Sequence, residues 1–367
     1  MSAYRSNFDC RTGVKIRTLG LFVKGNRPNL AYLKASEDDQ TNPLVYYPAN
    51  CYINTVEHQP AAISVTMIAI DTDRQVALLE ARLPDARALL SPCRCCPRNC
   101  GVDRWKGETG RCRSSTQLRV ASINLHHGEE PPISGFRGSG TIFLTNCNLR
   151  CLFCQNYPIS QLGTGNIVTV HELASGMIAL QRRGAHNINW VTPTHMAPLL
   201  MEALLIARKK GMDLPVVYNC GGYESLEMLR LWDGIVDIYM PDMKYSDAEN
   251  ARKYSGIGDY PTHNRTAILE MHRQVGNLMV DGEGIATMGL LVRHLVLPFD
   301  LSGTEEILRF LAEEVSRDTY VSLMSQYFPA FHATKIPRLS EPLTRKGYRR
   351  AIDFLEHFRL EAGWVQT

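Results

Sequence analysis

The sequence predicts an α/β protein built around a partial (β/α)6 barrel, with an amino-terminal extension and a Cys-rich segment ahead of the barrel. After residue 140, six short apolar runs of strand length alternate with segments whose apolar residues recur at helical spacing. Such alternation gives a parallel sheet, and six units can curve into a partial barrel. The chain has 44% apolar and 21% charged residues over 367 positions, as expected for a globular protein of one or two folding units.

The six predicted strands occupy residues 141–146, 188–192, 215–219, 235–240, 290–297 and 319–324. After the first strand, Thr169 and Glu172 form a capping box that starts a helix ending near Gly184. A second helix is predicted over residues 197–210. Two later helices follow from apolar residues that share one face: Ile307, Phe310, Leu311 and Val315, then Tyr348, Ile352, Leu355 and Phe358.

These elements divide the chain into four predicted segments. Residues 1–90 form an amino-terminal extension of unclear fold, and residues 91–120 form a Cys-rich segment with too few apolar residues to pack by itself. The barrel core spans residues 135–335, and residues 336–367 supply a C-terminal helix that packs on it. The Cys-rich segment therefore needs a metal or a neighbouring domain to order it.

Charge and hydropathy exclude several classes of protein. With 40 basic and 37 acidic residues the net charge is +3, so we expect no nucleic-acid partner. No apolar stretch has the length of a signal peptide or a membrane span, so we expect no membrane association and a cytoplasmic location. The eleven cysteines are then better explained as metal ligands or free thiols than as disulfides.

Three cysteines, Cys147, Cys151 and Cys154, lie in a tight loop directly after the first predicted strand of the barrel. Thiolates this close repel one another unless a cation or a cluster absorbs their charge. Three ligands on a 4Fe-4S cluster leave one iron open to a small chelating molecule. Zinc is the alternative, but its usual fourth ligand could come only from a distant residue.

This spacing, with Phe153 before the last cysteine, resembles the signature of the radical S-adenosylmethionine (SAM) superfamily. The resemblance implies a 4Fe-4S cluster on the three cysteines, with the amine and carboxylate of SAM bound to the open iron. An electron from the cluster would cleave the sulfonium and produce a 5′-deoxyadenosyl radical, which would abstract hydrogen from a substrate. The expected activity is that of a radical SAM oxidoreductase.

Within that superfamily the chain looks most like the branch of the pyruvate formate-lyase activating enzyme. The similar stretches are residues 129–135, 154–156, 218–224 and 240–245. The resemblance makes Asp242 and Lys244 the counterparts of residues that coordinate a monovalent cation and hold the SAM carboxylate, with Arg293 doing similar work from a later strand. A rim salt bridge between Asp242 and Lys244, and an Arg293 that merely reaches solvent, are the alternatives.

Two further stretches bear on SAM binding. Tyr218 and Asn219 begin a loop whose Gly221 and Gly222 permit close approach of a ribose or adenine, although an ordinary strand-helix turn would look the same. The family's Gly-Gly-Glu stretch is absent, because residues 191–195 read Val-Thr-Pro-Thr-His. The contacts to the SAM amine therefore stay open, and no catalytic residue is assigned.

A second group of thiols, Cys93, Cys96, Cys100 and Cys112, precedes the core, with Cys95 left over. Four thiols suit tetrahedral zinc or a second iron-sulfur cluster, and we favour a structural metal. A reduced loop without metal is the alternative, but it would struggle to stay ordered.

The substrate cannot be read from these motifs. The resemblance to activating enzymes implies a protein substrate, namely a glycine on a partner glycyl-radical enzyme. A small molecule or peptide substrate is the alternative among enzymes, and a zinc-binding interaction protein is the alternative without catalysis. A cluster of this kind needs an external reductant, so a flavodoxin or ferredoxin is an expected partner.

Overall fold

The computed structural model of the chain describes residues 70–366. Most of the predicted amino-terminal extension, residues 1–69, lies outside the described residues. The structure describes residues 70–90 of that extension, and they include a helix that packs on the barrel.

Ten α-helices occur within residues 70–366. In chain order they are α1 Thr72–Ala88, α2 Pro131–Ser134, α3 Tyr157–Ser160, α4 Val170–Arg182, α5 Ala197–Lys209, α6 Leu226–Trp232, α7 Ala248–Ser255, α8 Tyr260–Val275, α9 Thr304–Phe310 and α10 Arg345–Phe358. A π-helical segment, Leu311–Val315, continues α9. None of these helices combines the length and apolar character needed to cross a bilayer.

Ten strands form the sheet in the same part of the chain. They are β1 Leu118–His126, β2 Ser139–Leu144, β3 Asn166–Val168, β4 Ile188–Val191, β5 Val216–Cys220, β6 Ile238–Pro241, β7 Met279–Val280, β8 Ala286–Leu295, β9 Tyr320–Met324 and β10 Gly363–Val365. Their order is β10-β9-β8-β6-β5-β4-β2-β1-β3, and β7 pairs with β8.

The fold class predicted from the sequence is confirmed. Strands β2, β4, β5, β6, β8 and β9 are the six predicted ones, and each pairs in parallel with the next. The sheet is open, because β1 adds to β2 antiparallel at one side and β10 adds to β9 at the other. Short or half-buried strands such as β1, β3, β7 and β10 lack the strong apolar runs that revealed the six.

The predicted helices are present, and the features that predicted them stabilise them in the structure. The Thr169 hydroxyl accepts from the Glu172 backbone N–H at 3.1 Å, and the Glu172 carboxylate accepts from the Thr169 N–H at 2.7 Å, which is a complete capping box before α4. Helix α10 turns Ala351 and Leu355 towards the core. Its Tyr348 hydroxyl donates to the Leu323 carbonyl of β9 at 2.7 Å, which fixes the helix against the sheet.

Two apolar clusters cover the two faces of the parallel sheet. The larger lies under the helices and includes Met177, Leu200, Tyr218, Leu229, Ile268, Leu290 and Leu308. The smaller covers the other face and consists of Ile133, Val217, Ile238, Met240, Ala286 and Leu291. Because side chains alternate along a strand, Val217 and Asn219 share a face of β5, while Tyr218 points to the helix side.

Helix α1 belongs to the main core. Leu79 is fully buried in the larger cluster, and the Gln75 side-chain amide donates to the Ile235 carbonyl at 3.1 Å. The helix packs chiefly against α5. The last part of the predicted extension is therefore joined to the barrel by apolar burial.

Candidate active site at the carboxyl edge of the sheet

The loop that carries Cys147, Cys151 and Cys154 begins where β2 ends. Asn146 enters it with a φ of 72°, a left-handed conformation that Asn tolerates better than most residues. Its side-chain amide donates to the Ser114 hydroxyl at 3.0 Å. These contacts turn the chain sharply away from the sheet and place the three thiols above its carboxyl edge.

Each sulfur of the loop has a hydrogen-bonding neighbour. The Leu149 backbone N–H donates to Cys147 Sγ at 3.3 Å, and the Ser255 hydroxyl donates to Cys151 Sγ at 3.0 Å. Cys154 Sγ lies 3.0 Å from the Ser160 hydroxyl. Hydrogen bonds to sulfur stabilise thiolate ligands and tune the potential of an iron-sulfur cluster, so this donor set fits one.

Burial governs the ionisation of these thiols. It raises the pKa of Cys147 and of Cys151 above the usual range, while the positive charge of Lys244 acts in the opposite direction on both. As free thiols they are neutral, and a metal must replace the protons to bind. A Cβ on Gly221 would lie 2.6 Å from the Leu149 side chain of this loop and 3.7 Å from Lys244 Cε, so the Lys244 side chain lies beside the cysteine loop.

A charged cluster, Asn219, Asp242, Lys244, Arg293 and Glu129, occupies the same edge. Asp242 accepts from Lys244 Nζ at 2.5 Å and from Arg293 Nε at 2.9 Å. Arg293 also donates from Nη2 to Asn219 Oδ1 at 2.8 Å, and its Nη1 lies 3.6 Å from Glu129 Oε2. The side chains come from β5, the end of β6, β8 and the segment after β1.

The electrostatics of this cluster favour a charged aspartate and a less acidic glutamate. Burial opposes ionisation of Asp242, but Arg293 and Lys244 outweigh it and hold its pKa below the usual range. Burial raises the pKa of Glu129 to about 7, against the opposing influence of Arg293. Lys244 stays protonated because the charge of Asp242 and its hydrogen bond outweigh the burial of Lys244. The edge thus presents fixed charges of both signs.

The predicted SAM-binding residues divide into two groups. Asn219, Asp242, Lys244 and Arg293 come together in the charged cluster. Tyr218 lies on the other face of β5, fully buried beside Trp232, and its hydroxyl donates to Glu224 at 3.1 Å. This position does not support a direct contact between Tyr218 and a ligand at the carboxyl edge.

The glycine pair after β5 packs closely against protein. A Cβ on Gly221 would lie 2.6 Å from the Leu149 side chain of the cysteine loop, and one on Gly222 would lie 2.2 Å from the Asp242 carbonyl. Gly222 also has a φ of 74°, which an L residue adopts poorly. The pair therefore lets the loop after β5 fit between the cysteine loop and the charged cluster.

Residues 191–195 replace the family's Gly-Gly-Glu stretch. They contact the start of the cysteine loop through His195. His195 is buried, burial lowers its pKa to about 4, and its Nε2 lies 2.8 Å from the Thr145 carbonyl, to which it must donate. The Thr194 hydroxyl donates to Glu224 Oε1 at 2.6 Å. His195 is thus a buried positioning residue, and the Thr194 hydroxyl is already engaged.

The Cys-rich segment packs against the cysteine loop and the stretch 191–195 through two arginines, the buried Arg104 and the half-buried Arg98. Arg104 donates to the His195 carbonyl and to the Ser115 carbonyl, both at 2.6 Å, and Arg98 Nε donates to the Asn148 carbonyl at 2.6 Å. These hydrogen bonds join the segment to the barrel.

The four thiols of the predicted second metal site differ in their burial. Cys93, Cys96 and Cys112 are buried, whereas Cys100 is half-buried. A hydrogen bond with Cys95 lowers the pKa of Cys93. Burial raises the pKa of Cys96 to about 12. Across residues 70–366, no three His, Cys, Asp or Glu side chains converge to hold a metal ion. The second metal stays a prediction.

The family model described as "Radical SAM superfamily" matches residues 141–311, which include the cysteine loop and most of the charged cluster. These residues form a radical SAM domain. The radical SAM domain begins within β2 and ends after α9, so it contains five of the six parallel strands. The branch of the pyruvate formate-lyase activating enzyme is not distinguished by this match.

The chain is also similar to two archaeal proteins of Methanocaldococcus jannaschii. Uncharacterized protein MJ0674 is 29% identical over 294 residues, which cover 77% of this chain and 80% of the relative. Uncharacterized protein MJ0808 is 23% identical over 265 residues, which cover 67% of this chain and 73% of the relative. The similarity to both extends well beyond the radical SAM domain.

Two solved structures resemble the fold. A radical SAM methyltransferase from Sphaerobacter thermophilus is 14% identical with a TM-score of 0.39, and the match covers 62% of this chain and 66% of that one. Methylornithine synthase (PylB) is 16% identical with a TM-score of 0.41, covering 61% and 63%. The match spans just under two thirds of each solved chain.

The structure adds site residues that the sequence analysis did not single out. Glu129 reaches Arg293, and Glu224 joins Tyr218 to Thr194. Both lie within stretches noted for family resemblance, but neither was given a role. Glu224 is the one acidic residue in the stretch 218–224, which is a signal that could have found it, whereas Glu129 has an acidic neighbour, Glu130, and no local pattern distinguishes the two.

Proposed function

We propose that the chain binds a 4Fe-4S cluster through Cys147, Cys151 and Cys154 and cleaves SAM reductively at the carboxyl edge of its sheet. One observation carries this proposal: Leu149 of the cysteine loop and Lys244 of the charged cluster pack against the same residue, Gly221, so the hydrogen-bonded thiols and the charged cluster adjoin. A cluster site and a site for a zwitterionic ligand are thereby contiguous. When bound and reduced, the cluster would supply the electron that splits SAM into methionine and a 5′-deoxyadenosyl radical.

The residues of the charged cluster would bind and orient the SAM methionine moiety. Lys244 and Arg293 offer N–H donors to its carboxylate, and Asp242 offers an acceptor for its amine. The ion pairs between these side chains fix their rotamers before any ligand arrives, which reduces the entropy lost on binding. Asp242 stays ionised near neutral pH because of its two cationic partners, so its acceptor oxygens remain available there.

We propose two alternatives for the substrate from which the radical abstracts hydrogen. The resemblance to activating enzymes favours a glycine on a partner glycyl-radical enzyme. A small polar molecule or peptide is favoured by Glu129 and Glu130, two nearly buried carboxylates that act on Arg293 from the segment after β1. One oxygen of Glu130 is buried without a hydrogen-bond partner within residues 70–366, so a polar substrate could satisfy it.

Anaerobic reconstitution with iron and sulfide, followed by dithionite reduction with SAM, tests the proposal. We expect 5′-deoxyadenosine from the wild-type protein and none from Cys151→Ala, because the cluster would lose one of its three ligands. Cys220→Ala is the matched control, since Cys220 is buried outside the loop. A cluster-loaded wild-type protein that forms no 5′-deoxyadenosine would contradict the proposed function.

A further inference from the structure

Four arginines form a basic patch beside the cysteine loop: Arg98, Arg111, Arg113 and Arg150. The first three belong to the Cys-rich segment, and Arg150 immediately precedes Cys151. Arg111, Arg113 and Arg150 are exposed, and Arg98 is half-buried. Arg150 stands between Leu149 and Cys151 in the cysteine loop and donates to the Arg111 carbonyl at 3.4 Å, so the patch adjoins a ligand of the proposed cluster.

The patch carries uncompensated positive charge. Within residues 70–366, none of these guanidinium groups forms an ion pair with a carboxylate. Their hydrogen bonds go to neutral backbone carbonyls: Arg98 to Asn148, Arg113 to Gln161 and Arg150 to Arg111. The four guanidinium groups carry like charges in one patch, so they repel one another.

Local structure holds the repelling charges in place. The Arg111 backbone N–H donates to Cys100 Sγ at 3.4 Å, and the Asn146 amide donates to the Arg113 carbonyl at 3.4 Å. Arg98 crosses from the Cys-rich segment to the cysteine loop through Asn148. Two parts of the chain far apart in sequence thus contribute to one patch, and other contacts must offset its electrostatic cost.

We propose that this basic patch is the docking surface for a small acidic one-electron donor protein that reduces the cluster. The proposal rests on the proposed function and gives the Cys-rich segment a role in it. The donor would lose one electron and the cluster would gain it, with no bond made or broken. Redox proteins form complexes with small interfaces, and charge steers their association. A compact patch of four cations suits such an interface.

The position of the patch favours this partner over other polyanions. A donor must approach the cluster closely, and Arg150 places the patch one residue from a proposed cluster ligand. RNA or a membrane would need a longer basic surface, whereas the whole chain has a net charge of only +3. The positive charge is therefore concentrated where an electron would enter.

The test compares two routes of cluster reduction in reconstituted holoprotein, using flavodoxin as the acidic donor and dithionite as the small donor. In Arg111→Glu/Arg150→Glu we expect the rate of reduction by flavodoxin at low salt to fall roughly tenfold or more, because charge steering is lost. Reduction by dithionite, and iron and sulfide content, should stay within about twofold of wild type. High salt should shrink the difference between the proteins.

The matched control is Arg182→Glu/Arg183→Glu. Both residues are exposed at the end of α4, which leads to the start of β4 and hence to the opposite edge of the sheet. This control should keep the wild-type rate with flavodoxin. Equal loss in the control, an unchanged rate in Arg111→Glu/Arg150→Glu, or a wild-type cluster that flavodoxin does not reduce would each overturn the proposal.

Two further readouts separate this proposal from the proposed function. The bleaching of cluster absorbance by flavodoxin does not depend on SAM cleavage, so docking can be measured even if no 5′-deoxyadenosine forms. Competition by single-stranded RNA or by anionic phosphatidylserine vesicles that is as strong as competition by oxidised flavodoxin would assign the patch to another polyanion and overturn the proposal.

Discussion

Arg293 holds three acidic or polar side chains at once, and this geometry depends on its planar fork. Nε donates to Asp242 and Nη2 to Asn219, while Nη1 faces Glu129. Lysine has a single ammonium and cannot reproduce these directions. The arginine therefore fixes the relative positions of β5, β6 and β8 at the edge where the ligand is proposed to bind.

We predict that Arg293→Lys weakens SAM binding roughly tenfold, about 1.4 kcal/mol, because hydrogen bonds to the charged cluster are lost. Equilibrium dialysis of reconstituted protein with labelled SAM measures the effect. Arg309→Lys, an exposed arginine paired with Glu306 on α9, is the matched control and should bind SAM as wild type does. Unchanged affinity in Arg293→Lys would remove Arg293 from the proposed site.

Glu224 is a buried carboxyl group whose ionisation costs stability. Burial raises its pKa from 4.5 to about 7, although Thr194 and Tyr218 donate to it. The folded protein therefore binds this proton more tightly than the unfolded chain does. Its contribution to the free energy of unfolding is complete below pH 4.5 and is lost as the pH rises to about 7.

We predict that Glu224→Gln reduces the fall in Tm between pH 5.5 and pH 8, because the amide does not titrate. Scanning calorimetry or a thermal shift at the two pH values gives the comparison. Glu356→Gln, at an exposed position of α10, should retain the wild-type difference in Tm. A variant Glu224→Gln with the same difference as wild type would show that Glu224 titrates normally.

At the scale of elements, the cysteine loop is held by its neighbours on several sides. His195 supports it at Thr145, the loop after β5 packs on it through Gly221, and Arg98 reaches it from the Cys-rich segment. The loop has little regular structure of its own between β2 and α3. Its shape therefore depends on hydrogen bonds from these other elements.

We predict that His195→Ala lowers the iron and sulfide bound after reconstitution, because a lost buried hydrogen bond costs the loop about 1–3 kcal/mol. His195→Gln should recover much of the cluster content, since the glutamine amide can place an N–H near the position of Nε2. Metal analysis and the visible absorbance of the cluster measure both variants. Equal cluster content in wild type and His195→Ala would contradict this positioning role.

At the scale of the whole molecule, one continuous core joins α1 to the barrel. Leu79 of α1 lies in the same apolar cluster as residues of α4, α5 and α9. Gln75 adds two hydrogen bonds, to the Ile235 carbonyl and the Asp237 carboxylate. The helix is therefore expected to unfold together with the barrel.

We predict that Leu79→Ala lowers the free energy of unfolding by about 2–5 kcal/mol, the usual cost of removing a buried leucine side chain. Leu269→Ala, at a helical position that is 40% exposed, is the matched control and should cost much less. Urea denaturation followed by circular dichroism gives both values. A loss of similar size in the two variants would mean that α1 is not part of the cooperative core.

The sequence by itself determined the parallel sheet and the cysteine loop. Six apolar runs alternating with helices specify the sheet because each run must be buried on both faces. The spacing of Cys147, Cys151 and Cys154 predicts a shared ligand, because thiolates this close together repel one another without a common cation. Asp242, Lys244 and Arg293 followed from family resemblance, and their placement at the ends of parallel strands brings them together.

Only the tertiary structure decided which residues complete the site. Glu129 contacts Arg293, which lies far away in the sequence, and no local pattern encodes such a contact. Side chains alternate along β5, but only the structure shows that Asn219 is on the face that meets the charged cluster and Tyr218 on the face buried in the core. The basic patch likewise exists only because folding brings the Cys-rich segment onto the cysteine loop.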